Sequence, residues 1–268
     1  MEDIKLKPIL KWAGGKIRII GKIKDKVTIS DRYVEPFIGG GSVFLTLKPT
    51  KAILNDINPY LITMYKTVRD KPDELILKLK EYEKKNTKEE YYEIRSKGIK
   101  NDDDVEQSAI LIYINKTCFR GLYRENSKGG FNVPYGNYKK PLICNETNIK
   151  NISTYLNEND IKFFNLPYQE FLGKCVETDF VYLDPPYFPM TKTQFTKYNK
   201  GDFTTKDHDN LFKIITEGEF KFLMSNSPAD EIKEMFSDYE TETFTKSRAI
   251  NVKQGKTKTK VNEILIWN

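Results

Sequence analysis

Cysteine is scarce in this sequence. Cys118, Cys144 and Cys175 are the only three among 268 residues, and none forms a CxxC pair. Three widely spaced thiols make no disulfide framework, and they point to a reduced, intracellular and therefore cytoplasmic setting. Histidine is scarcer still, because His208 is the only one. That argues against a His-based triad and a multi-His metal site, and no metal is expected. No run approaches the roughly 18–20 apolar residues that span a bilayer. The opening Met1-Glu2-Asp3-Ile4-Lys5 lacks the basic-then-apolar pattern of a secretion signal, so no membrane partner is expected. Internal repeats and low-complexity linkers are also missing. The chemistry must run on carboxylates, amides or a cofactor.

What is present describes an ordinary globular chain, with 38% hydrophobic and 31% charged residues. The length suits one sizeable core carrying a smaller insertion, expected to act as a monomer. The net charge of +6 is modest, but its distribution is uneven. Between 107 and 145 the only acid is Glu125, against Lys116, Arg120, Arg124, Lys128, Lys139 and Lys140. Between 243 and 262 there is no acid at all, against Lys246, Arg248, Lys253, Lys256, Lys258 and Lys260. Two such stretches in a folded chain suggest a phosphate-facing surface; a solvated lysine-rich face is the alternative.

Tyr33-Val34-Glu35-Pro36-Phe37 reads as a short buried strand that runs through Ile38-Gly39-Gly40-Gly41-Ser42 into an apolar helix start at 43–47. Residues 52–56 read as the next strand, ending in Asp56. Strand, glycine turn, helix, strand and acid open a Rossmann-like, doubly wound α/β domain. A charged helix-period stretch then follows Pro72 to about 97, and a second helix spans 103–117. The Gly-, Asn- and Tyr-rich segment 119–141 reads as loop or hairpin. Strands are expected again at 161–164, 180–183, 220–224 and 264–267, with helices at 205–216 and 229–236. The expected division is a discontinuous catalytic domain, 1–56 and 147–268, carrying a mostly helical insertion, 57–146.

Two motifs carry chemistry. Gly39, Gly40 and Gly41 lack a Cβ, so the backbone there tolerates positive φ and passes close to a ligand. A turn of this kind at a strand's C-terminal end suits a nucleotide-like cofactor. Asp56 lies about 20 residues beyond Glu35, where an acid accepts hydrogen bonds from ribose hydroxyls. For the glycines alone, a plain turn is the alternative. The dinucleotide fingerprint G-x-G-x-x-G is not met, because position 44 is Phe44. That favours a cofactor carrying adenosine without phosphates.

The second motif, Asp184-Pro185-Pro186-Tyr187, follows the apolar strand at 180–183, at the edge where open α/β sheets bind ligands. An aromatic amine is a poor nucleophile because its lone pair is delocalised into the ring. The Asp184 carboxylate and the Pro185 carbonyl, one acceptor for each amine hydrogen, favour a pyramidal nitrogen with its lone pair freed. Pro185 and Pro186 fix φ and hold that carbonyl rigid, while Tyr187 offers a face for stacking a base. A tight turn after a strand is the bland alternative.

In their order, these motifs resemble the Dam-like family of DNA adenine-N6 methyltransferases. The similarity also covers Lys11-Trp12-Ala13-Gly14-Gly15-Lys16, Glu35 to Phe44, Asn55-Asp56-Ile57-Asn58, Gly121-Leu122-Tyr123-Arg124-Glu125-Asn126, Phe131 to Tyr138, and Ser225-Asn226-Ser227. It implies AdoMet as cofactor, held by Trp12, Lys16, Asp56 and Asp184. Ala13, Gly14, Glu35, Pro36, Phe37, Gly39, Gly40, Gly41, Ser42 and Ile57 would line that site, and Tyr168 would stack on the cofactor's adenine. It further implies double-stranded DNA as partner, with a flipped adenine at Asp184–Tyr187, commonly within GATC. Lys11 and Arg124 would read guanines, Leu122 and Pro134 would contact the central pairs, and Phe119 would wedge into the gap. Arg120, Asn126, Asn132 and Tyr138 complete the candidate DNA contacts. Two positions depart from the family. Arg120 stands where many relatives have asparagine, and Pro167 replaces an acid that some relatives have.

The absence of a Pro-Cys nucleophile argues against cytosine-C5 chemistry. The residue chemistry alone leaves cytosine-N4 open as the alternative amine, and a DNA-binding protein without activity as the alternative of another class. A restriction-modification, phage or regulatory role is equally open at this level.

Overall fold

The structure is a computed structural model that describes residues 4–190, 203–248 and 259–268. Lys253, Lys256 and Lys258 of the second basic stretch lie outside the described residues, as do the side chains of Lys246, Arg248 and Lys260. In chain order the elements begin with α1 (Ile20–Lys24), β1 (Arg32–Glu35), α2 (Phe44–Leu47), β2 (Lys51–Asn55) and α3 (Pro59–Asp70). Next come α4 (Pro72–Lys85), α5 (Lys88–Lys97), α6 (Asp104–Thr117), α7 (Glu146–Glu158), β3 (Asp160–Phe164) and α8 (Tyr168–Leu172). The last are β4 (Asp179–Leu183), α9 (Thr205–Glu217), β5 (Lys221–Asn226), α10 (Asp230–Met235), β6 (Glu240–Arg248) and β7 (Thr259–Trp267). The class is mixed α/β, as expected, and the described residues hold seven strands, one more than the sequence suggests.

The chain divides into two compact units, Met1–Ile20 with Ile38–Pro167, and Gly21–Phe37 with Tyr168–Asn268. In the first, β2 and β3 pair in parallel from Lys51↔Asp160 to Asn55↔Phe164. Its centre is α6, buried on nearly every side from Val105 to Thr117, the mark of a helix enclosed by others. The polar groups on α6 are satisfied internally. Ser108 Oγ donates to Thr67 Oγ1 at 3.0 Å, and Thr117 Oγ1 to the Tyr113 carbonyl at 2.7 Å. Asp103 caps the helix by accepting the Val105 and Glu106 N–H groups, which satisfies two of its orphan donors.

In the second unit the strand order is β1-β4-β5-β7-β6. The pairs β1–β4 and β4–β5 are parallel, while β5–β7 and β7–β6 are antiparallel. β4 is buried at every position, as a central strand covered on both faces should be. At its start, Arg32 of β1 donates to both oxygens of the buried Asp179, at 2.8 and 2.6 Å.

Two elements differ from the reading of the sequence. The stretch after Pro72 is two helices, because Asn86 turns extended (ψ 97) and Thr87 starts afresh by accepting the Glu90 N–H at 3.1 Å. Strand β6 was not foreseen. Its run Glu-Thr-Glu-Thr-Phe-Thr is polar, and long pairing with β7 makes it a strand.

Arg32→Ala strips the fully buried Asp179 carboxylate of its cation. It should cost about 3 kcal/mol, the lower end for breaking a buried pair, read as a shift in urea midpoint at constant m.

Candidate active site

In the first unit the glycine loop is shaped by side chains. Gly39 and Gly41 have positive φ, 48° and 67°. A Cβ at Gly39 would lie 2.7 Å from the Trp12 indole, one at Gly40 would lie 2.9 Å from the Trp12 Cβ, and one at Gly41 would lie 2.6 Å from the Tyr65 hydroxyl. Packing by this chain's own aromatics therefore accounts for all three glycines. Tyr65 also donates to the Gly39 carbonyl at 3.1 Å. The Gly39 N–H donates to Asp56 Oδ2 and the Asn58 N–H to Asp56 Oδ1, both at 2.9 Å. Burial pushes the Asp56 carboxyl above its usual range, and those two donors pull it back. Asn55 clasps the Leu166 backbone through two hydrogen bonds, and Asn165 holds the carbonyls of Asp56 and Ile57.

Lys16 is buried, its N–H donating to Ser42 Oγ at 3.0 Å and its Nζ to the Gly14 carbonyl at 2.5 Å. Ala13 and Gly14 are exposed, as is Ile57.

Trp12 leads on to the basic segment. Its ring lies 5.0 Å from Tyr123, which meets Phe131 edge-on at 5.8 Å. Asn115 on α6 bonds the Lys11 backbone in both directions, at 2.8 and 2.9 Å, and donates to the Gly121 carbonyl at 3.3 Å. Lys11 packs on Gly121, and its Nζ sits 4.6 Å from the Tyr138 ring centre. The expected hairpin is present as bridges Glu125↔Phe131 and Cys118↔Tyr135. Asn126 closes its tip by accepting the Lys128 and Gly130 N–H groups, and Arg124 Nε donates to Asn132 Oδ1 at 2.6 Å. Pro134 is exposed, its carbonyl accepting the Phe119 N–H at 2.8 Å.

Phe119 and Leu122 are 45% and 44% exposed, unusual for such residues beside cations. Arg120 adopts φ 60°, and its N–H is held by the Tyr138 hydroxyl at 2.9 Å. A left-handed backbone of this kind suits asparagine better than arginine. Burial, followed by the charge of Lys11, pushes Lys116 down to about 8.

In the second unit, Asp184 follows β4. Ser225 Oγ donates to Asp184 Oδ1 at 3.0 Å and lies 3.1 Å from the Tyr182 hydroxyl. A serine has one hydroxyl hydrogen, so Tyr182 must be the donor in that second bond. The chain Tyr182–Ser225–Asp184 thus fixes the carboxylate. Pro185 is buried and Pro186 exposed, while Tyr187 is half-buried. Burial and then the Asp184 charge raise the Tyr187 phenol far above its usual value, so it stays protonated. Asn226 accepts the N–H groups of Phe188 at 3.0 Å and Ser227 at 2.8 Å, anchoring the chain just past Tyr187.

Also in this unit, Glu35 and Pro36 are buried, with Glu35 accepting the Tyr33 hydroxyl at 2.8 Å. Phe37, Tyr168 and Phe203 form an aromatic group with ring centres 5.3–6.0 Å apart. Burial pushes the Tyr168 phenol up to about 12, and its hydroxyl donates to the Asp207 carbonyl. His208 is held at about 4 by burial, between Phe188 and Phe203, and is neutral at physiological pH.

Tyr123, Asn115 and Phe203 escaped the reading of the sequence. Asn115 could have been noticed as an amide on an otherwise apolar helix, and Tyr123 as an aromatic inside the basic segment. Nothing local marks Phe203.

A fixed carboxylate at a parallel strand's C-terminal end and a basic hairpin bearing exposed apolar side chains are the parts of an α/β enzyme that modifies nucleic acid. The family model for D12 class N6 adenine-specific DNA methyltransferases matches residues 12–252, and the chain belongs to that family. It is an adenine-specific DNA methyltransferase, with DNA as its substrate. A Type II methyltransferase of Lactococcus lactis subsp. cremoris is 36% identical, over 99% of this chain and 96% of the relative. A Type II methyltransferase of Methanocaldococcus jannaschii is 37% identical, over 99% and 100%. The DNA adenine methylase of Escherichia coli is 32% identical, over 97% and 95%. Among the described residues no helix is long and apolar enough to cross a membrane.

Gly39→Ala should destabilise the protein by about 2–4 kcal/mol, combining the clash with Trp12 and the left-handed backbone. In a Trp12→Ala background the cost should fall to about 1–2 kcal/mol. Denaturant unfolding of the four-member cycle checks this.

Proposed function

We propose that this enzyme transfers a methyl group from AdoMet to the N6 amine of an adenine flipped out of duplex DNA, within GATC. The observation that carries the reading is Asp-Pro-Pro-Tyr at the end of β4, with its acid held by Ser225, in a chain of the adenine-specific family. AdoMet supplies an electrophilic methyl group on a sulfonium sulfur. This chain's residues suit such a cofactor. Each Asp56 oxygen accepts one backbone donor and keeps acceptor capacity for a ribose hydroxyl. The faces of Phe37 and Tyr168 suit an adenine ring, and Trp12, Lys16 and residues 39–42 complete the set.

Asp184 and the Pro185 carbonyl would accept the two amine hydrogens and free the nitrogen lone pair. The Asp184 carboxylate would take up the proton the amine loses on methylation, as the sulfonium leaves as a neutral thioether. Because Ser225 and Tyr182 already orient the carboxylate, little reorganisation remains at the moment of transfer. Tyr187 stacks on the base. Flipping is required because a paired, stacked amine is out of reach, at a cost of a few kcal/mol.

Residues 57–146 would read the DNA. Arg124, whose orientation Asn132 supports, and Lys11 would read guanines; Leu122 and Pro134 would meet the central pairs. Phe119, exposed among cations, is suited to wedge between bases. Arg120, Asn126 and Tyr138 shape this surface, and Asn126 acts through the hairpin turn. The enzyme would work on intracellular DNA as a monomer. The Type II relatives make a restriction-modification setting the favoured context.

Asp184→Asn should lower methylation of plasmid DNA by at least about a thousandfold with DNA affinity unchanged, measured by nucleoside mass spectrometry beside a binding titration. Equal loss of both would mean the site is misplaced. Arg124→Ala should cost about 1–3 kcal/mol of discrimination at one guanine, read by competition between GATC and singly substituted sites. Sequencing that reports modified adenines on an unmethylated plasmid decides the site itself.

A further inference from the structure

Asn226 is the last residue of β5 and follows Ser225, the residue that holds Asp184. It is 1% exposed. Its Oδ1 accepts two backbone N–H groups, from Phe188 and Ser227. Two donors on one atom settle which end of the amide is oxygen. The other end, Nδ2, is buried and has no hydrogen-bond partner among the described residues. Buried polar groups are nearly always paired, so an orphan donor calls for an explanation. Here it belongs to the side chain that pins the residue directly after Asp-Pro-Pro-Tyr.

With its N6 amine at Asp184 and Pro185, an adenine carries a ring-nitrogen acceptor on each side of that amine, N1 and N7. We propose that Asn226 Nδ2 donates a hydrogen bond to one of these two nitrogens, making Asn226 a base-reading residue of the active site. The proposal rests on the reading of Asp184–Tyr187 as the amine site. The donor is covered in this structure, so the contact requires the atoms over it to move aside as the base enters. Together with the two acceptors for the amine, it fixes the base in its own plane. With N7 as the acceptor the contact favours adenine, because cytosine carries C5–H on that side of its amine and leaves the donor unpaired. N1, by contrast, has a counterpart in cytosine N3.

The test uses the whole enzyme and duplexes whose target adenine is replaced by 7-deazaadenine or 1-deazaadenine. The opposite thymine is left out so that pairing differences vanish. Single-turnover methylation is followed for wild type and Asn226→Asp, which keeps an oxygen for the Phe188 and Ser227 N–H groups but removes the donor. One analogue should slow wild type by about tenfold to a hundredfold. The variant should be slowed similarly on adenine, with no further loss on that analogue. Wild type that methylates both analogues at the adenine rate, or a variant that suffers the full analogue penalty, overturns the proposal. If the variant does not fold, the wild-type comparison decides alone: a penalty from one analogue supports the contact, and indifference to both removes it. Methylation surviving in Asp184→Ala would instead overturn the placement of the amine, so the two failures are distinguishable.

Discussion

The side chain of Trp12 occupies the space that side chains at 39 and 40 would need, and much of the first unit follows from that fit. It requires glycine at both positions, and the resulting loop presents the Gly39 N–H to Asp56. The Trp12 ring lies against Tyr123 and, through it, Phe131 of the basic hairpin. Asn115 holds the backbone next to Trp12 and the turn at Gly121 from one amide. Glycine loop and basic hairpin are therefore packed on a single side chain, next to the α6 core.

The second unit relies on electrostatics. The Asp184 carboxylate has a fixed direction, supplied by a hydrogen-bonded serine backed by a buried tyrosine, as the proposed acceptor of an amine requires. Pro185 and Pro186 stiffen the neighbouring carbonyl for the same purpose. The phenol of Tyr187 and the imidazole of His208 are both held in their neutral forms by burial. Asp184 is then the group on which the proposed transfer turns.

Much of this was legible in the sequence, for reasons that differ between elements. β4 and β5 announced themselves because a strand buried on both faces must be a continuous apolar run. Asp56 and Asp184 stood out because acids directly after such runs fall at a sheet's ligand-binding edge. β6 did not, because its residues are polar and its strand state comes from pairing with β7. The break at Asn86 was hidden by charged residues that suit helix on both sides of it. The left-handed backbone at Arg120 was equally hidden, since Arg120 is not a residue that advertises positive φ.

Read alone, the sequence yields the class of fold and the family to which its motifs belong. Those features are local, carried by residue types at short spacing. Only the tertiary structure decided why three glycines stand in a row, which serine holds Asp184, and which end of Asn226 is left with a donor to give. Each depends on side chains distant in the sequence meeting in space, and no local pattern encodes such a meeting.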